Sequence, residues 1–138
     1  MHPIIKTVFA IIAGIAIALC VVVLTEGLAA KYYPAQSLNP TIAEREEDIR
    51  TAPFIAMFIF FAGNALSSFF GSYAAARVAP ENKKFMAGVT VGFFLLLSGI
   101  VYFVTIKYPL WLSLGTCIAY PVFALLAVYI ARRGKLIS

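Results

Sequence analysis

Apolar and polar residues are sharply segregated along the chain. Residues 7–25, 52–76, 85–106 and 109–131 contain no Asp, Glu, Lys or Arg, and all the charges collect between and around them. Each run is close to or above the roughly 20 helical residues needed to cross about 30 Å of hydrocarbon. In lipid the backbone has no water to bond, so each amide must be satisfied within its own segment. The pattern therefore predicts four transmembrane helices in an all-α, antiparallel bundle. Lys6 before the first run and Gly27, Ala29 and Ala30 after it imitate a signal peptide. Its 19-residue apolar stretch exceeds the usual 7–15 of a signal's hydrophobic region, so it is expected to be kept as the first span.

Composition agrees with this pattern. The 138 residues are 62% hydrophobic and 12% charged, with a mean hydropathy of +0.94. Soluble domains carry about 25% charged residues, so this chain has too few polar groups to cover a water-facing surface. With most residues assigned to spans, residues 1–138 are expected to form one membrane domain.

Charge adds an orientation. Four spans put both termini on one side, with the loop between spans two and three. That side holds Lys6, Arg77, Lys83, Lys84, Arg132, Arg133 and Lys135 against Glu81 alone. The other side holds Lys31, Arg45, Arg50 and Lys107 against Glu26, Glu44, Glu46, Glu47 and Asp48. The positive-inside bias predicts cytoplasmic termini. Anionic lipid headgroups are a sufficient partner for the basic side, and nothing asks for nucleic acid.

The connections are unequal. Little more than Lys107 and Tyr108 joins spans three and four, which predicts a tight hairpin. The external loop, residues 30–51, is the sizeable extramembrane element. Within it Pro40 suits a first-turn position, and Thr41 with Glu44 matches a capping box. Glu46 and Arg50 form an i,i+4 pair, acid first, and Ile42 and Ile49 sit seven apart. A short amphipathic helix over 41–50 is expected on the outer bundle surface or membrane interface. Tyr32, Tyr33, Tyr102, Tyr108 and Trp111 mark the outer interface, and Tyr73 and Tyr129 the inner one; such belts set depth and imply no ligand.

The second span carries Gly63, Ser67, Gly71 and Ala75 at every fourth position, a ridge of small side chains. Where lipid removes the hydrophobic drive for association, such ridges let helix backbones approach closely. Gly88 and Gly92 in the third span, and Gly115 and Ala119 in the fourth, are counterparts. Packing within the bundle, packing against another subunit and a substrate path all remain open for the ridge. Asn64 is the amide of the hydrocarbon core, with Ser67 and Ser68 one turn on. It suits either an interhelical hydrogen bond or an ion or solute contact.

Glu26 ends the first apolar run, where a carboxylate costs far less than at the bilayer centre. It is expected either to act structurally, with Lys31, Lys107 or Tyr108 as partner, or to handle a proton or cation. Cys20 and Cys117 share the outer half of the membrane without a CxxC pattern and read as buried thiols. His2 stands alone. Residues 44–48 lack calcium-loop spacing and read as a solvated helix face. Pro121 interrupts the fourth helix by removing a bond to the Cys117 carbonyl. No nucleophile–base pair, phosphate loop or zinc motif occurs. An enzyme, a cofactor and a metal are therefore not expected.

"EGLAAKYYP" closing the first span, "FFGSYAAARVAP" closing the second, and "KYPLW" opening the fourth with Pro121 ten residues after Trp111 resemble a family of small bacterial four-span inner-membrane proteins without an assigned function. The resemblance covers nearly the whole chain and implies the four-span fold and a bacterial inner membrane. Many members carry histidine four residues after the glutamate; here that residue is Ala30. The position of Asn64 is more often aromatic in the family. Small multidrug exporters also place a glutamate in the first of four spans, but deeper and without a long first loop. Small fluoride channels carry an asparagine and a Gly-Ser-Phe stretch in span two, but their threonine–phenylalanine signature is missing from "GVTVGFFLLLSG". The expectation is a non-catalytic accessory, stabilising or scaffold subunit that packs against itself or other membrane subunits. The alternative is a small oligomeric transporter or channel using Glu26 and Asn64, with Ser67 and Ser68 facing the same cavity.

Overall fold

A computed structural model describes residues 2–32, 41–51, 53–106 and 108–133. Residues 33–40 of the first loop, with Tyr33, and Lys107 and Lys135 lie outside them, as do the side chains of Ala29, Ala30, Tyr32, Arg45, Asp48, Ile49 and Thr51. The expected Glu26–Lys107 contact and the Ile42–Ile49 face therefore lie outside the described residues.

The described chain is all-helical: α1 (Pro3–Tyr32), α2 (Ile42–Thr51), α3 (Phe54–Val78), a 3₁₀ turn (Glu81–Lys83), α4 (Lys84–Thr105) and α5 (Leu110–Arg133). Four of these, all but α2 and the 3₁₀ turn, are long and apolar enough to cross a membrane. α1 outruns its apolar stretch at both ends, because neither Glu26 nor Gly27 breaks helical geometry. α3 stops where Ala79 precedes Pro80; the proline ring drives the preceding residue out of the helical region, and Ala79 has ψ 155°. Pro53 and Pro109 accept the first amide bonds of α3 and α5: the N–H groups of Ala56 and Leu112 donate to their carbonyls at 3.1 and 3.0 Å. In α2 the Glu44 N–H donates to Thr41 Oγ1 at 3.2 Å, and Arg50 pairs with Glu47.

α3 is the central helix. It packs along α1 on one side and along α4 and α5 on the other, and α4 and α5 pack on each other. What lies between helices is mostly small. Ala10, Ala18, Ala75, Ala76, Ala87, Ala124, Ala127 and Ala131 are buried, while Leu24, Val104 and Leu110 are 74%, 81% and 73% exposed. This inverts the arrangement in a water-soluble core. It suits a solvent as apolar as leucine, in which close backbone approach and hydrogen bonds, rather than burial of large side chains, hold helices together.

α1 and α3 cross where two glycines meet. A methyl added at Gly14 would lie 2.6 Å from the Gly71 carbonyl oxygen, and one added at Gly71 would lie 2.7 Å from that of Gly14. Gly63 abuts Thr25 in the same way, and Ala75 faces Gly14. The ridge of Gly63, Gly71 and Ala75 is therefore turned inward, against α1. On α4, Gly88 receives Val128, Gly92 receives Ala124, and Gly99 lies against the Tyr120 ring, all from α5.

Candidate functional site: a polar cluster in the bundle interior

One position on from the first ridge, α3 carries Asn64, Ser68, Ser72 and Ala76, again four residues apart. At 3.6 residues per turn these lie on an adjoining stripe, which turns toward α4 and α5. Tyr120 of α5 completes the cluster. Its hydroxyl donates to Asn64 Oδ1 at 2.6 Å, while Asn64 Nδ2 donates to the Phe60 carbonyl at 2.8 Å. Ser68 Oγ donates to the Tyr120 carbonyl at 2.7 Å, and Ser67 Oγ to the Asn64 carbonyl at 2.7 Å. Asn64 thus uses one amide proton and its side-chain oxygen inside the bundle. Two side chains of α3 hold one residue of α5 from both its ring end and its backbone.

Two members of the same interior are unpaired. Among the described residues, Ser72 Oγ and Thr116 Oγ1 are fully buried and have no hydrogen-bond partner. Other hydroxyls of these helices bond back one turn: Thr7 to the Pro3 carbonyl, Thr25 to Val21, Thr90 to Met86 and Thr105 to Val101, at 2.6–2.8 Å. Above the cluster Phe60 stacks on Tyr108, with ring centroids 5.4 Å apart, and the Tyr108 hydroxyl donates to that of Tyr102 at 2.7 Å. These rings tie the α4–α5 connection to α3. At the other end of α4, Lys84 is buried and pairs with Glu81 at 3.4 Å.

The two polar residues singled out from the sequence do not converge. Asn64 faces α5, whereas Glu26 is exposed on α1 and forms no ion pair or hydrogen bond among the described residues. The expected pair with Lys31 is absent, because residues five apart do not share a helix face. Nor do Ser67 and Ser68 share a face: Ser67 lies on the α1 side, Ser68 on the α5 side. Cys20, expected to be buried, is exposed on α1, and Cys117 is half-buried on α5; both are free thiols. Among the described residues no three His, Cys, Asp or Glu side chains gather as a metal site.

Sequence reasoning passed over Tyr120, Ser72, Thr116, Gly99 and the burial of Lys84. Tyr120 carried a signal: it is a tyrosine deep within an apolar run, far from both interfaces where a belt residue belongs. No family model, curated protein or solved structure matches the chain.

Proposed function

We propose that the chain is a non-catalytic, multi-pass membrane protein that works by packing, as an accessory, stabilising or scaffold subunit. The observation that carries this reading is that the polar residues singled out in the second span bond to the bundle itself. Asn64, Ser67 and Ser68 all spend hydrogen bonds on neighbouring backbone or on Tyr120, and the carboxylate of Glu26 lies elsewhere. A transport path through the bundle would need Glu26 and Asn64 on a common face, and their separation favours packing over transport. The reading includes cytoplasmic termini, from the charge bias, and a bacterial inner membrane, from the family resemblance. It also puts α2 at the outer interface.

Native mass spectrometry of the protein extracted from its own membranes in mild detergent tests it. The expected result is a defined assembly, with a companion protein or with further copies. Proton-linked solute flux in liposomes that is lost in Glu26→Gln would overturn it.

A further inference from the structure

Glu26 is exposed on α1 at the C-terminal end of its apolar run. Its neighbour Thr25 seats on Gly63, nine residues past Phe54 at the start of α3, or about 13 Å along the helix axis. α3 has 25 residues, about 37 Å, against roughly 30 Å of hydrocarbon. With α3 centred in the bilayer, Glu26 sits roughly 8 Å inside the hydrocarbon edge. Side chains on a helix lean toward its N-terminus, and that end of α1 lies across the membrane. The short glutamate is therefore aimed at the bilayer interior and away from the nearer interface. Lys31, also exposed, lies on the same helix five residues on, and the two cannot meet within one copy.

Between two parallel helices the geometry reverses. Positions g and e′ of the next heptad, five residues apart, face each other across the seam. Taking Glu26 as g makes Lys31 e and puts Gly27, Val23, Cys20 and Ala16 at core a and d positions. All four are exposed, on the side of α1 turned away from α3, and Gly27 has no atom within 4 Å of where its side chain would begin. Two copies inserted the same way round carry parallel α1 helices. A twofold axis along the membrane normal then makes both charge pairs at once, because such an interface is isologous.

We propose that this face of α1 is the interface of a symmetric homodimer, closed by two reciprocal Glu26–Lys31 pairs between copies. The proposal deepens the reading of the chain as a packing subunit, on which it rests, by naming the partner as a second copy.

The native thiol reports on it. Cys20 falls on the proposed axis, so a short bis-methanethiosulfonate reagent, which joins two thiols by displacing a sulfinate from each end, should give in native membranes a covalent dimer that persists in Cys117→Ser and vanishes in Cys20→Ser. Glu26→Lys or Lys31→Glu alone should cut the cross-linked fraction about tenfold, by setting like charges against each other. The double reversal, Glu26→Lys with Lys31→Glu, should restore it. Both side chains are exposed, so the single variants should keep the wild-type thermal unfolding of the monomer. No dimer through Cys20, or one indifferent to the charge reversals, overturns the proposal. If cross-linking fails while a companion protein co-purifies, the packing-subunit reading stands and the homodimer falls. If it fails alongside Glu26-dependent flux, both fall.

Discussion

Tyr120 and Asn64 show how far one interhelical bond can reach. Removing the hydroxyl in Tyr120→Phe deletes the donor to Asn64 Oδ1 and leaves a buried acceptor with nothing from α5. Side-chain bonds between membrane helices are worth about 0.5–1.5 kcal/mol, and the unfolding free energy in a denaturing-detergent titration should fall by about that much. Asn64→Leu should cost more, because it strands the tyrosine hydroxyl as well as emptying the Phe60 contact. The opposite sign is expected at Ser72. Its hydroxyl is buried without a partner, and an unsatisfied buried group of this kind costs roughly 1–3 kcal/mol. Ser72→Ala should therefore match or exceed wild-type stability in the same titration. If Ser72→Ala lost as much as Tyr120→Phe, the orphan assignment would be wrong.

Among the helices, the glycines divide by what stands opposite them. At Gly71 a new methyl would strike the Gly14 backbone and the Ala18 side chain, at 2.7 and 2.8 Å. Neither can swing aside, so α1 must move off α3. Gly71→Ala should destabilise the bundle by about 1–3 kcal/mol, the usual cost of overpacking. Gly115→Ala meets only the edge of the Phe61 ring, at 3.2 Å, and a side chain of that kind can yield. The two variants should differ clearly in unfolding free energy; equal behaviour would mean that α1 and α3 are less closely apposed than described. Four-residue spacing revealed the ridge of Gly63, Ser67, Gly71 and Ala75 in the sequence. Which helix it met was not legible, because a ridge of small residues fits any partner of the right shape.

At the scale of the whole molecule, the excess of basic residues on one side argues for cytoplasmic termini. A fluorescent protein fused after Ser138 should fold and fluoresce if the C-terminus is cytoplasmic, whereas a phosphatase that needs the periplasm should stay inactive there. Adding lysines to the external loop should weaken this preference, since the bias is set by basic residues near span ends. Lys84 and Glu81, paired at the start of α4, lie on the side that this bias assigns to the cytoplasm.

What the sequence determined by itself was the class of architecture. Four long uncharged runs leave the backbone no state in lipid other than the helix, and the four apolar helices follow from solvent physics with no knowledge of their neighbours. Tertiary structure decided the pairings. Asn64 and Tyr120 lie 56 residues apart, and no local pattern joins an amide on one helix to a phenol on another. Likewise α3 bears two adjoining small-residue stripes, and only the packed bundle assigns one to α1 and the other to α4 and α5. It also turned Glu26 outward. A helix's own sequence fixes which residues share a face, but the direction that face points is set by the helices around it.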